Sequence, residues 1–212
     1  MDETRSLDDF SGFASIKKGV LEYLPSIKID PWRGQTILVL TESRSMKGTL
    51  EEIASRYRVR IASSGGQCAG FLHTTIAPVL KKAFKNGRLP PLVLTIGDYD
   101  LAGGHIDANN RRVLEEEVGE RFEEENWERV ALTETQVENL RETMGEDMPK
   151  VIKTDNRFKP PLVYEALECE TLGQKPIMDL LEAKLDALLP APLERVHERE
   201  ERQRRALRKK IR

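Results

Sequence analysis

Cysteine is nearly absent: Cys68 and Cys169 are the only two in 212 residues. They stand far apart, without metal-ligand spacing or a disulfide framework, so a reducing, cytoplasmic location is expected. Histidine is as scarce, and His73, His105 and His197 share no spacing that would hold zinc. No apolar run approaches the ~20 residues of a membrane span, so no membrane association is expected. Met1-Asp2-Glu3-Thr4-Arg5 is acidic and lacks the apolar core of a signal peptide. Aromatic residues are only 6%. Charge of one sign is also missing in bulk: the formal net charge of -2 says nothing for nucleic acid by itself, and the distribution matters more.

What the chain does contain is an alternation of buried-strand runs and helical patterns. Thr36-Ile37-Leu38-Val39-Leu40-Thr41-Glu42 is a short apolar run that ends in a carboxylate. Thr49, with Glu52 three places on, spells a capping box for a helix over 50–57. Val59 to Ser63 reads as a strand closed by Ser64-Gly65-Gly66. Residues 71–84 read as a helix in which Pro78 is a misfit, so a kink or an earlier start is expected. Pro91 to Ile96 is a second doubly buried strand, followed by Gly97-Asp98-Tyr99-Asp100-Leu101-Ala102-Gly103-Gly104 and a helix from about 104 to 122. Glu128 to Leu132 is a fourth strand. This order predicts βαβ units and a parallel sheet of about four strands flanked by helices, an α/β fold.

Downstream, 134–143 reads as a short helix, 145–159 as a polar loop, and 164–172 as either strand or helix. Residues 177–189 form an amphipathic helix ended by Pro190 and Pro192. At the amino-terminal end, 10–24 carries a weak helical pattern before Pro25 and Pro31, with Trp32 as a packing anchor. The expected organisation is an arm over 1–34, a sheet domain over 35–134, an α/β extension over 135–190 and a basic helix over 191–212.

Asp98 and Asp100 would lie outside the carboxyl end of their strand, where ligands of parallel sheets sit. Neighbouring carboxylates raise each other's pKa unless a cation neutralises them, and hard oxygen ligands suit Mg²⁺. The bland alternative is that these are helix-cap and turn residues. A cap, however, needs one Asp and not two. A thiol–imidazole pair of Cys68 and His73 has nothing to orient it, and Cys68 reads as a small packed thiol.

Glu42 after one strand, Gly65-Gly66 after the next and Gly97-Asp98-Tyr99-Asp100-x-x-Gly103 after the third resemble a Toprim domain. That Rossmann-like, metal-dependent module is shared by topoisomerases, primases and nucleases. The Gly-Asp-Tyr-Asp-x-x-Gly form is most similar to the Toprim of the topoisomerase VI A subunit and the meiotic break-forming protein. It is also similar to bacterial and phage proteins in which a Lys-Thr-Asp-x-Arg and a Glu-rich segment follow; here these are Lys153 to Arg157 and Glu165 to Leu172. The resemblance implies that Asp98 and Asp100 hold Mg²⁺, with Mn²⁺ as a substitute. It makes Glu42 share the metal or act as general acid/base on a phosphodiester. Gly97 and Gly103 would let the backbone come close to metal or substrate. Arg44, Lys47, Lys153 and Arg157, with the Gly65-Gly66 turn, would face phosphate.

Relatives that break DNA covalently use a tyrosine in a winged-helix domain ahead of the Toprim. Tyr23 is the only tyrosine in the 41 residues before Glu42. A partner chain or upstream sequence is then expected to supply the nucleophile, unless the reaction is metal-assisted hydrolysis. The tail carries Arg202, Arg204, Arg205, Arg208, Lys209, Lys210 and Arg212 with no acid among them. It reads either as a salt-sensitive DNA contact or as a solvated helix end. The function expected is Mg²⁺-dependent action on nucleic acid, with DNA favoured and a homo-oligomer compatible. The alternatives are a non-catalytic DNA-binding module and, less well matched, a haloacid dehalogenase-type phosphatase. Those phosphatases usually place Asp-x-Asp after the first strand, whereas here it follows the third.

Overall fold

The computed structural model describes residues 15–65, 69–87 and 89–211. The sequence reading of 10–14 as helix, together with Gly66, Cys68 and Arg212, lies outside the described residues. No helix among those described is long and apolar enough to cross a membrane.

Residues 30–190 form one compact unit. In it, β1 (Ile37–Thr41) leads through α2 (Arg44–Tyr57) to β2 (Arg60–Ser63). A broken helix follows: α3 (Ala69–Phe71), a turn of π-helix over Leu72–Ile76, and α4 (Ala77–Asn86). Then come β3 (Leu92–Ile96), α5 (Leu101–Val118), β4 (Trp127–Ala131) and α6 (Glu134–Met144). The unit ends in β5 (Val151–Asp155), β6 (Leu162–Ala166) and α7 (Gln174–Leu188). Among the described residues, β1 to β4 make a parallel sheet in the order β2-β1-β3-β4. The fold is α/β, with helices against the sheet and a helical carboxyl-terminal end.

β1 and β3 are buried along their whole length, because the sheet is covered on both faces. Leu38, Leu40 and Val93 pack with Leu80 of α4 and Leu114 and Val118 of α5. The alternate residues, Val39 and Leu94 among them, point the other way, the face that α2 and α7 cover. Trp32 is buried and donates its indole N–H to the Tyr57 carbonyl at 2.7 Å, satisfying one orphan acceptor at the end of α2.

Three sequence readings are corrected, and the kink or earlier start expected at Pro78 is found. α2 starts at Arg44 because Ser43 caps it, its hydroxyl accepting from Met46 N–H at 3.1 Å; Thr49 lies inside the helix and donates to the Ser45 carbonyl. The helix with Pro78 starts earlier, and the π-turn, with Ala77 N–H bonded to Leu72 O, places the proline in the first turn of α4, where it needs no N–H partner. α5 starts at Leu101 and ends at Val118, where Gly119 takes a left-handed φ of 79°. The stretch read as a polar loop contains β5, paired antiparallel with β6 from Val151↔Ala166 to Asp155↔Leu162.

The second unit comprises the described residues up to Ile29 and those from Ala191 on. It pairs α1 (Ile16–Tyr23) with α8 (Leu193–Ile211). Arg204 is buried there. Its guanidinium donates to the carbonyls of Leu24 (3.2 Å) and Ile27 (2.7 Å) and pairs with Glu200 and Glu201. Glu200 in turn accepts from Ile29 N–H at 2.6 Å. Arg204 is therefore no DNA contact, which corrects that part of the tail reading. Arg205, Arg208, Lys209 and Lys210 are exposed.

Candidate functional site

The chain leaves β1 for β2 on one side, then crosses back past β1 to β3 on the other. Helices after the two strands therefore diverge to opposite faces, and a crevice opens outside the carboxyl ends of β1 and β3. Glu42 and Asp98 flank that crevice. Thr41 and Ile96 are register partners, Glu42 N–H donates to Ile96 O at 3.0 Å, and Asp98 N–H donates to Glu42 Oε2 at 3.3 Å. A Cβ on Gly97 would stand 3.0 Å from Glu42 Oε2, so glycine is what lets the carboxylate lie over the β3 end. From β4, Arg129 clamps the loop backbone, donating to the carbonyls of Gly97 (3.0 Å) and Asp98 (2.6 Å).

The two aspartates have different tasks. Asp100 caps α5: its Oδ1 accepts from Gly103 N–H, and a Cβ on Gly103 would overlap the Asp98 carbonyl. Its Oδ2 accepts from Lys153 Nζ at 2.7 Å, and its side chain is 2% exposed. Asp98 caps nothing. Its Oδ1 accepts from Cys169 N–H at 2.9 Å, and Lys153 lies 3.7 Å from its Oδ2.

Lys153 arrives from β5 and also pairs with Glu168 at 3.1 Å. The segment after β6 is fastened to the aspartate loop by Tyr99 N–H to Leu167 O (2.8 Å) and Leu167 N–H to Tyr99 O (3.1 Å). These contacts bring Glu168 and Glu170 to the rim of a cleft of about 190 Å³ that Glu42, Ser43, Gly97 and Asp98 also line. Glu170 accepts from the hydroxyls of Ser43 and Ser45.

The charge of this cleft is under-compensated. Burial raises Glu42 above its ordinary value, and the negative charge of Asp98 adds to the effect. Burial likewise raises Asp98, against the opposing Cys169 N–H and Lys153. For Lys153 burial acts downward, but bonds to Asp100 and Glu168 overcome it and hold the ammonium above its ordinary value. Burial, with Asp98 nearby, pushes the Cys169 thiol up to about 12, which removes it as a nucleophile. Among the described residues, no three Asp, Glu, His or Cys side chains are gathered to ligate one ion as they stand. Asp100, turned to its helix and to Lys153, is the member held apart.

The other sequence candidates are dispersed. Arg44 is exposed at the start of α2, and Lys47, one turn on, pairs with Glu51. Arg157 forks onto Asp155 at the hairpin turn, with Nη2 at 2.6 Å. Gly65 follows β2 with φ 58°. His73 pairs with Glu117 at 2.9 Å. Sequence reasoning gave no site role to Arg129, Glu168 or Glu170. The acid-rich run from 165 to 170 was the available signal for the two glutamates, while nothing local marks Arg129. No family model, curated relative or solved structure matches the chain.

Proposed function

We propose that this chain is a Mg²⁺-dependent, Toprim-type protein acting on nucleic-acid phosphodiesters, with DNA the favoured substrate. It either cleaves DNA by hydrolysis or serves as the metal module of a strand-breaking assembly whose tyrosine comes from elsewhere. One observation carries the reading: Glu42 and Asp98 meet at adjacent strand ends, at the reversal of the sheet, half-buried and short of positive charge.

The donor set fits a hard divalent ion, since the carboxylates there offer oxygen alone. A stand-in cation is already present, for the Lys153 ammonium lies against Asp98, Asp100 and Glu168. Asp98 and Glu42 would hold Mg²⁺ or Mn²⁺, joined by Asp100 Oδ2 when Lys153 withdraws. When bound, such an ion polarises a phosphodiester and lowers the pKa of a bound water. Glu42, raised toward working pH, is suited to move a proton at the attacking or leaving oxygen. Arg129 holds the Asp98 carbonyl, and Gly97 leaves room for the Glu42 carboxylate beside it.

The test is cleavage of plasmid and single-stranded DNA with Mg²⁺ or Mn²⁺. Wild type is expected to give product, and Asp98→Asn and Glu42→Gln to lose about 100-fold or more in rate. Equal background from all three rejects a nuclease. Mg²⁺-dependent DNA binding without turnover would instead favour the non-catalytic binding module.

A further inference from the structure

Lys153 reaches the cleft from β5, whereas the fastening to the aspartate loop runs through the segment after β6. The described partners of its ammonium are carboxylates: Asp100 at 2.7 Å, Glu168 at 3.1 Å and Asp98 at 3.7 Å. Lysine is a compact charge on a flexible four-carbon stem, so the ammonium can leave while the hairpin backbone stays in place. One ammonium faces four carboxylates once Glu42 is included, and among the described residues no ion pair joins it to Glu42. A divalent cation among the same carboxylates would stand a few ångströms from the ammonium, where like charges repel strongly in a half-buried site. Asp100 is the geometric key. Its Oδ1 is committed to α5, so its Oδ2 becomes available only when Lys153 lets go.

We infer that Lys153 is an exchangeable internal cation. It holds Asp98, Asp100 and Glu168 together in the metal-free protein, and it swings out of the carboxylate group on divalent-cation binding. This rests on the reading of the cleft as a divalent-cation site. It also accounts for Asp98 and Asp100 being neighbours in space yet not gathered on one point: the ammonium lies against both.

The experiment is direct binding of Mn²⁺ to the full chain by electron paramagnetic resonance, with Mg²⁺ calorimetry beside it, and needs no turnover. Wild type is compared with Lys153→Gln and Lys153→Met, each checked for a cooperative thermal transition; the two differ in polarity, so one remains if the other fails to fold. The expected result is binding tightened about tenfold or more in the neutral variants, because a competing charge has gone. Binding by the variants but not by wild type supports the exchange equally. Unchanged or weaker binding in the variants, with wild type binding, overturns the exchange and leaves the metal reading intact, with Lys153 merely shaping the ligands. No binding by any of the three overturns both.

Discussion

Among the described residues, the Arg204 and Lys153 clusters each set a basic side chain against buried or half-buried acids, and they are built to opposite ends. In the terminal unit, Arg204 spends its donors on two backbone carbonyls and two glutamates, while Glu200 also takes the Ile29 amide. The guanidinium is bonded on several sides there, and both it and the Glu200 side chain are at most 10% exposed. In the sheet unit, one lysine serves three carboxylates and leaves Glu42 and Asp98 above their ordinary pKa values. Guanidinium is a rigid fork suited to permanent ties, and ammonium is a mobile point charge. The first cluster is a fastening. The second stores unfavourable charge that a ligand can relieve.

The contrast is sharpest under mutation. Arg204→Ala should destabilise the terminal unit by about 3–5 kcal/mol, because it removes one partner of a buried ion pair together with the donors that serve the Leu24 and Ile27 carbonyls. Chemical denaturation measures this, and added Mg²⁺ should restore none of it. Replacing both partners by apolar residues, Arg204→Met with Glu200→Leu, should recover only part of that stability, because the bonds to the Leu24 and Ile27 carbonyls and from the Ile29 amide are lost as well. Lys153→Gln should cost less, roughly 1 kcal/mol, since the ammonium is partly exposed and the glutamine amide can still donate to Asp100. Here Mg²⁺ should restore the stability, which divides the two clusters cleanly.

A smaller effect of opposite sign is expected for Glu42→Gln. Both cleft carboxyls sit above their ordinary values of 4.5 and 3.8 in the folded protein, so their protonated forms favour folding. That contribution is complete below the ordinary values and is lost as pH rises through the raised ones. Metal-free Glu42→Gln should therefore melt roughly 1–2 °C above wild type at pH 7 and with no gain near pH 4. A lower melting temperature at pH 7 would mean that the carboxylate is satisfied as it stands. The smallest effect concerns the exposed helix end. Neutralising Arg205, Arg208, Lys209 and Lys210 together should reduce the slope of log K against log salt for DNA by about 0.9 for each phosphate that these side chains pair with. An unchanged slope would take the α8 end out of the nucleic-acid interface.

The sheet was legible in the sequence because its central strands are covered on both faces, which writes runs of aliphatic residues and threonine with no charge at 37–41 and 92–96. The spacing of Glu42 and Asp98 came with it, since strand order turns a separation of 56 residues into adjacency. The hairpin of β5 and β6 was not legible. Ile152, Val163 and Leu162 are exposed, and Lys153 and Asp155 alternate with them, so no buried face marks the pattern. Without the hairpin, Lys153 could be read only as one surface cation among several. Arg204 failed for a related reason: within a run of basic residues nothing local separates the side chain that folds back onto residues 24–27 from those that stay in solvent. The start of α2 was masked by a second capping signal, as Thr49 and Glu52 imitate the box while Ser43 holds the cap.

The central claim is that Glu42 and Asp98 share a divalent cation across the ends of β1 and β3. Mn²⁺ binding followed by electron paramagnetic resonance, on wild type beside Glu42→Gln and Asp98→Asn, tests that most directly. Saturable binding to wild type, weakened about tenfold or more by each substitution, is the expected result. Binding that neither substitution alters, or none in wild type and in Lys153→Gln alike, would contradict it.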